Sequence, residues 1–190
     1  MNLPNQLTLA RLALTALFVV CFYVPLPEHL SIAALVFGVA SATDYLDGYI
    51  ARKRGIVTNF GKLFDSLADK VLIAAAFIML VSLGDLPAWI AIVVLAREFC
   101  VTGIRLVAAG QGAILAAERL GKHKMLWQIL TVSWFLVHRA SSETLFGFTR
   151  PFFAATPGWV PQTIIYFTTL LTLVSGFSYY WKNRTLFNDA

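Results

Sequence analysis

The residues best equipped for chemistry lie between Asp44 and Asp69, in the stretch DYLDGYIARKRGIVTNFGKLFDSLAD, where Asp44, Asp47, Asp65 and Asp69 sit within an otherwise largely apolar chain. Clustered carboxylates repel one another, so at neutral pH they share protons or bind cations. Hard oxygen donors with no neighbouring Cys or His favour Mg²⁺, Mn²⁺ or Ca²⁺ over zinc or copper. Two divalent ions would neutralise all four charges. Gly48, Ala51 and Gly61 leave room for a bulky anion to approach the backbone, and Arg52 adds a fork matched to phosphate oxygens. Together these features describe a site for a diphosphate.

The elements that must position these groups follow from their spacing. On a helix, Asp44 and Asp47 (i, i+3) share a face with Gly48 and Ala51, and Gly61, Asp65 and Asp69 (i, i+4, i+8) form a second stripe. Between them lies RKRGIVTNF, in which Gly55 ends the first helix and Thr58 or Asn59 caps the next. The pattern predicts two adjacent antiparallel helices that face each other with two aspartates apiece.

The surroundings are those of a membrane protein. The chain has 190 residues, 58% of them hydrophobic and 13% charged, against roughly 25% charged in soluble domains. Apolar segments run at about 6–25, 30–53, 60–84, 86–109, 124–139 and 159–181, most with the roughly 20 residues a bilayer requires. Pro25, Pro27, Pro87, Pro157 and Pro161 fall at or beside segment ends. The N-terminal run has no basic leader and no small-x-small cleavage site, and Arg11 interrupts it, so it reads as a first membrane helix. With the N-terminus in the cytoplasm, all of the 15 basic residues except Arg139 and Arg150 fall on the cytoplasmic side.

The expected fold is an all-α integral membrane protein. Residues 1–190 form a single domain of six transmembrane helices that enclose a polar cavity open to the cytoplasm. The depth of the acids supports the cavity: at 1.5 Å per residue, Asp44 lies about 12 Å from Arg52, and Asp69 about 15 Å from Asn59, well inside the hydrophobic boundary. No nucleic-acid partner is expected.

At every specified position the motif resembles the signature D-x2-D-G-x2-A-R-x8-G-x3-D-x3-D of the CDP-alcohol phosphotransferase family. The resemblance implies a CDP-linked donor such as CDP-diacylglycerol, whose diphosphate binds two divalent cations, Mg²⁺ or Mn²⁺. The hydroxyl of an acceptor alcohol attacks the lipid-side phosphorus, and CMP leaves. It further implies that Asp44, Asp47, Asp65 and Asp69 are metal ligands, with Asp69 also the general base. Gly48, Ala51, Arg52 and Gly61 would line the CDP moiety, with Asn5 and Thr8 as further polar contacts. Homodimers, embedded in a lipid bilayer such as a bacterial inner membrane, are typical of the family.

Acceptor identity rests on two further stretches. AREFCVTGIRL (Ala96–Leu106) and LGKHKMLWQ (Leu120–Gln128) resemble the branch of the family that transfers to glycerol 3-phosphate. Such an acceptor requires cations for its phosphate, and Arg97, Arg105, Lys122 and Lys124 are the candidates. Arg97 and Arg105, eight residues apart, share a helical face. Ser66 and Met125 depart from the residues usual in this branch, Pro and Thr, without touching the motif.

Each of these residues also has a plainer reading. The aspartates would form buried ion pairs with Arg52, Lys70 and Arg97, Glu98 would orient Arg97, and Lys53 and Arg54 would anchor topology. Other acceptors, inositol phosphate or serine, would use the same chemistry. A divalent-cation transporter would carry the same acids, but the inverted repeats and broken helices of such proteins are not evident. Cys21 and Cys100 stand alone, and His29, His123 and His138 match no metal spacing. The stripe Ala34, Gly38, Ala42 suits close helix packing, within the protomer or across a dimer.

Overall fold

In the computed structural model, residues 3–54, 59–111, 115 and 119–184 are described, with the side chains of 3–7, 44–54, 59–67, 69 and 119 outside the description. The described residues form helices joined by turns, with no strand. They form α1 (Leu3–Val20), α2 (His29–Arg54), α3 (Asn59–Ser82), α4 (Ala88–Gly110), α5 (Arg119–Ala140), a 3₁₀ turn (Gly147–Thr149), α6 (Arg150–Ala155) and α7 (Trp159–Asn183). The chain divides into two compact units, residues 1–85 with 132–157, and residues 86–131 with 158–190.

In the first unit α1 packs against both α2 and α3, and α2 touches α3. Its core is apolar, with Phe18, Phe37, Phe77 and Leu80 buried and the Phe18 and Phe37 rings 5.8 Å apart. α3 stops at a glycine-dependent cap. Gly84 takes φ +76°, its N–H reaches Val81 O, and the Asp85 N–H reaches back to Leu80 O at 3.0 Å, which is the paired closure of a Schellman motif. Arg139, in the last turn of α5, clamps this corner by donating to both Asp85 oxygens and to Leu83 O.

α2 starts in an unusual way, because its first free amides are capped from far along the chain. The Glu143 carboxylate accepts the N–H groups of Leu30 at 3.0 Å and Ser31 at 2.7 Å. Glu28, held at φ 65°, returns the arrangement by accepting the N–H groups of Thr144 and Leu145. Two glutamates thus satisfy donors that a helix start and a turn would otherwise leave open. The Leu145 bond, then that of Thr144, holds the exposed Glu28 carboxyl below its ordinary value. On the same side, Phe152 and Phe153 of α6 pack edge-on against Trp134, with centroids 5.7 and 5.1 Å away.

In the second unit α4 packs against α7. The buried residues of α4 include Ile90, Val94, Val101 and Ala108, a single helical stripe. The facing stripe of α7 is of a different kind: Thr168, Thr172, Ser175 and Tyr179, all buried, recur every three or four residues. Polar side chains fill interior positions while large apolar ones face outward, among them Ile92, Phe99, Phe177 and Trp159, each more than 60% exposed. A polar interior under an apolar exterior suits a chain whose solvent is hydrocarbon.

Among the described residues α7 is the one helix long and apolar enough by itself to cross a bilayer, at 25 residues about 37 Å long. Among residues whose side chains are described, α1, α2 and α3 carry the apolar stretches Thr8–Val20, His29–Thr43 and Lys70–Ser82. In α4 the apolar run is interrupted by Arg97, Glu98 and Arg105. α5 begins at Arg119, ahead of the apolar run from residue 124, since polarity at Arg119–His123 hides a helix from a hydropathy reading. The 139–158 stretch, silent in the sequence, contains the 3₁₀ turn and α6.

Candidate active site

The backbone carries the acidic motif as its spacing requires. Asp44, Asp47, Gly48, Ala51 and Arg52 lie in the last turns of α2, which ends at Arg54, and Gly61, Asp65 and Asp69 lie in the first turns of α3, which begins at Asn59. The connection at 55–58, with the expected breaker Gly55 and cap Thr58, is outside the described residues, as are the side chains of the motif and of Asn5. Thr8 is described and is buried in α1, 3% exposed. Among the described residues no three His, Cys, Asp or Glu side chains cluster as a metal site. The donor set on α2 and α3, carboxylates on regular helix with no sulfur or imidazole among them, fits a hard divalent cation.

The candidate acceptor residues are described, apart from the motif, and three of them are anchored. Arg97 donates from Nη2 to Ser175 Oγ at 2.9 Å and from Nη1 to Glu98 Oε1 at 3.3 Å. Lys124 Nζ donates to the same Glu98 oxygen and contacts Gln128 Oε1 at 3.4 Å. Gln128 Nε2 then donates to Thr172 Oγ1 at 3.3 Å, and Ser175 Oγ donates to Thr172 O at 3.2 Å. The chain of contacts closes into a ring over α4, α5 and α7.

Its polarity is directional. The Thr172 and Ser175 hydroxyl protons are engaged by backbone carbonyls of the preceding turn, Thr168 O and Thr172 O. Their oxygen lone pairs are therefore left as acceptors, which suits Gln128 and Arg97 as donors. One carboxylate, Glu98, is shared by two cations, Arg97 and Lys124. Arg97 is also short of partners: its side chain is 10% exposed and its Nε is buried with no hydrogen-bond partner. That N–H is a donor in reserve.

Arg105 is held differently. Its Nε donates to the buried Tyr179 hydroxyl at 3.1 Å, and its guanidinium lies 5.3 Å from the centre of that ring, a cation–π arrangement. Lys122 is exposed. A groove of about 420 Å³ runs along α4 and α7, lined by Arg97, Cys100, Ile104, Gly176, Phe177 and Tyr180 among others.

The sequence reading missed Gln128, Thr172 and Ser175, which complete the ring, and the complete burial of Arg11. The α7 hydroxyls were detectable as a periodic polar stripe, TTLLTLVSG, inside an apolar run. A lone arginine amid leucines was the corresponding signal in α1.

Fold and motif together define the class: an all-helical protein with a carboxylate-rich phosphate-chemistry motif on two consecutive helices. The CDP-alcohol phosphatidyltransferase profile matches residues 1–174, and the chain belongs to that family. A CDP-diacylglycerol–glycerol-3-phosphate 3-phosphatidyltransferase of Bacillus subtilis (strain 168) is 45% identical over 96% of this chain and 95% of its own length. Proteins of the same name from Rickettsia bellii, 35% identical over 94% of this chain and 93% of theirs, and from Haemophilus influenzae, 36% identical over 71% and 75%, are also similar.

Proposed function

We propose that the protein transfers the phosphatidyl group of CDP-diacylglycerol to sn-glycerol 3-phosphate, giving phosphatidylglycerophosphate and CMP, in phospholipid biosynthesis. The observation that carries this reading is the 45% identity, over nearly the whole of both chains, to an enzyme of that name, in a sequence whose motif from Asp44 to Asp69 is complete.

The reaction assigns work to each part of the motif. The acceptor hydroxyl oxygen forms a bond to the lipid-side phosphorus, the bond from that phosphorus to the CMP oxygen breaks, and CMP departs with the electron pair. The hydroxyl proton passes to the carboxylate of Asp69, the general base. Asp44, Asp47, Asp65 and Asp69 would hold two divalent cations, Mg²⁺ or Mn²⁺, which supply neutralisation of the spreading phosphoryl charge when bound. Gly48, Ala51 and Gly61 keep the backbone open to the CDP diphosphate, Arg52 pairs with its oxygens, and Asn5 and Thr8 add polar contacts. Arg97, Arg105, Lys122 and Lys124 bind the acceptor's phosphate; the Nε donor of Arg97, which has no hydrogen-bond partner, supports this role.

The chain works in a lipid bilayer as one domain of six membrane helices, with the N-terminus and an active-site cavity facing the cytoplasm, of a bacterial inner membrane. The outward apolar faces and the distribution of basic residues support that placement. A homodimer accords with the open face at Gly38, where an added Cβ would meet nothing within 4 Å.

The test is CMP release by purified protein supplied with CDP-diacylglycerol, Mg²⁺ or Mn²⁺, and a panel of acceptors. Release with glycerol 3-phosphate alone is the expected result. Release only with serine or an inositol phosphate would keep the reaction and replace the acceptor. No release with any acceptor, together with divalent-cation flux into proteoliposomes, would replace the enzyme by a transporter.

A further inference from the structure

The ring depends on two adjacent residues of α7 that lie just past residue 174, where the family match ends. Arg97 belongs to α4, yet its stem is seated against the α7 backbone at Gly176. A Cβ at that position would stand 2.8 Å from Arg97 Cγ, 3.7 Å from Nε and 3.9 Å from Cβ. Cγ is near the root of the side chain and cannot swing aside as a terminal group would, so even alanine displaces the arm. The preceding residue holds the other end, with the wholly buried Ser175 accepting from Arg97 Nη2 at 2.9 Å.

Gly176 therefore fixes where the stem passes and Ser175 fixes where the guanidinium points. Their joint effect directs Nη1 to Glu98, which also holds Lys124. A side chain placed by simple packing would not need a hydroxyl whose own proton is occupied by Thr172 O.

We propose that Ser175 and Gly176 are positioning residues for recognition of the acceptor's anionic group, acting through Arg97 and, by way of Glu98, through Lys124. The inference rests on the reading that Arg97 and Lys124 bind that group. Losing one hydrogen bond to a guanidinium, or shifting its stem, raises the acceptor KM by about tenfold or more.

The experiment is steady-state CMP release by purified full-length protein, with glycerol 3-phosphate and CDP-diacylglycerol titrated separately, in Ser175→Ala, Ser175→Thr, Gly176→Ala and Arg97→Gln. The expected result is a raised acceptor KM in Ser175→Ala and Gly176→Ala with donor KM and kcat near the parent values, and recovery in Ser175→Thr, which restores the hydroxyl. Ser175→Ala is nearly isosteric and keeps the test decisive if Gly176→Ala does not fold. An unchanged acceptor KM in Ser175→Ala beside a raised one in Arg97→Gln overturns the inference and leaves the acceptor reading intact. A parallel loss of kcat, both KM values and thermal stability overturns it in favour of plain packing. An unchanged acceptor KM in Arg97→Gln overturns the acceptor reading, and the inference with it.

Discussion

The acidic motif gathers its residues along one continuous stretch of α2 and α3, at i, i+3 and i, i+4, whereas the ring around Glu98 takes its members from α4, α5 and α7, with Arg97 and Ser175 separated by 78 residues. The first can be recognised before any fold is known, since helical spacing alone fixes which side chains share a face. The second exists only once helices pack. Its members, a serine, a threonine and a glutamine, are ordinary residues until their neighbours are known. In the proposed function, reaction chemistry follows local periodicity and acceptor recognition follows tertiary contact.

The largest effect expected from separating the two is on turnover. Asp69→Asn removes the proposed general base without changing side-chain size, and kcat should fall by about 10²–10⁴-fold, measured as CMP release, with thermal stability retained. A residual rate within threefold of the parent would place the base elsewhere. Lys124→Ala acts on the ring: the acceptor KM should rise by about 10- to 100-fold as a cation is lost beside Glu98, while the donor KM holds. Equal loss in both substrates would merge the two regions into one.

Smaller effects belong to the opposite ends of the same helices, where carboxylates serve structure. Glu143→Ala leaves the Leu30 and Ser31 amides uncapped, which should cost about 1–3 kcal/mol in stability, seen as a lower melting temperature with both KM values unchanged. Glu28 is held below its ordinary pKa, first by the Leu145 amide. A depressed carboxyl stabilises the fold fully above its unfolded-state pKa and loses that contribution as pH falls through the lower folded value. Melting temperature should therefore drop more steeply with acidification below the ordinary glutamate range in the parent than in Glu28→Gln. Parallel slopes would assign the acid response to other groups.

How far the sequence could be read follows the same division. α4 and α7 begin where Pro87 and Pro157–Gly158 stop the preceding chain; the Gly55–Thr58 connection lies outside the described residues. The first turn of α5 was invisible to hydropathy, and α6 was hidden in a stretch whose Phe152 and Phe153 pack edge-on against Trp134 of another helix. Glu98 was legible as an orienter of Arg97 because the two are neighbours in sequence. Its second contact, with Lys124, comes from another helix, and neither periodicity nor composition encodes that pairing. The glutamate caps at Glu28 and Glu143 were illegible for the same reason, since each joins segments more than 110 residues apart.

The division of labour is tested most directly by comparing kcat/KM for glycerol 3-phosphate with that for glycerol, the acceptor without its phosphate, in the parent, Arg97→Gln and Asp69→Asn. The account predicts a strong preference for the phosphorylated acceptor in the parent, its collapse in Arg97→Gln, and an unchanged ratio at much lower rate in Asp69→Asn. A ratio that survives Arg97→Gln, or collapses in Asp69→Asn, would contradict it.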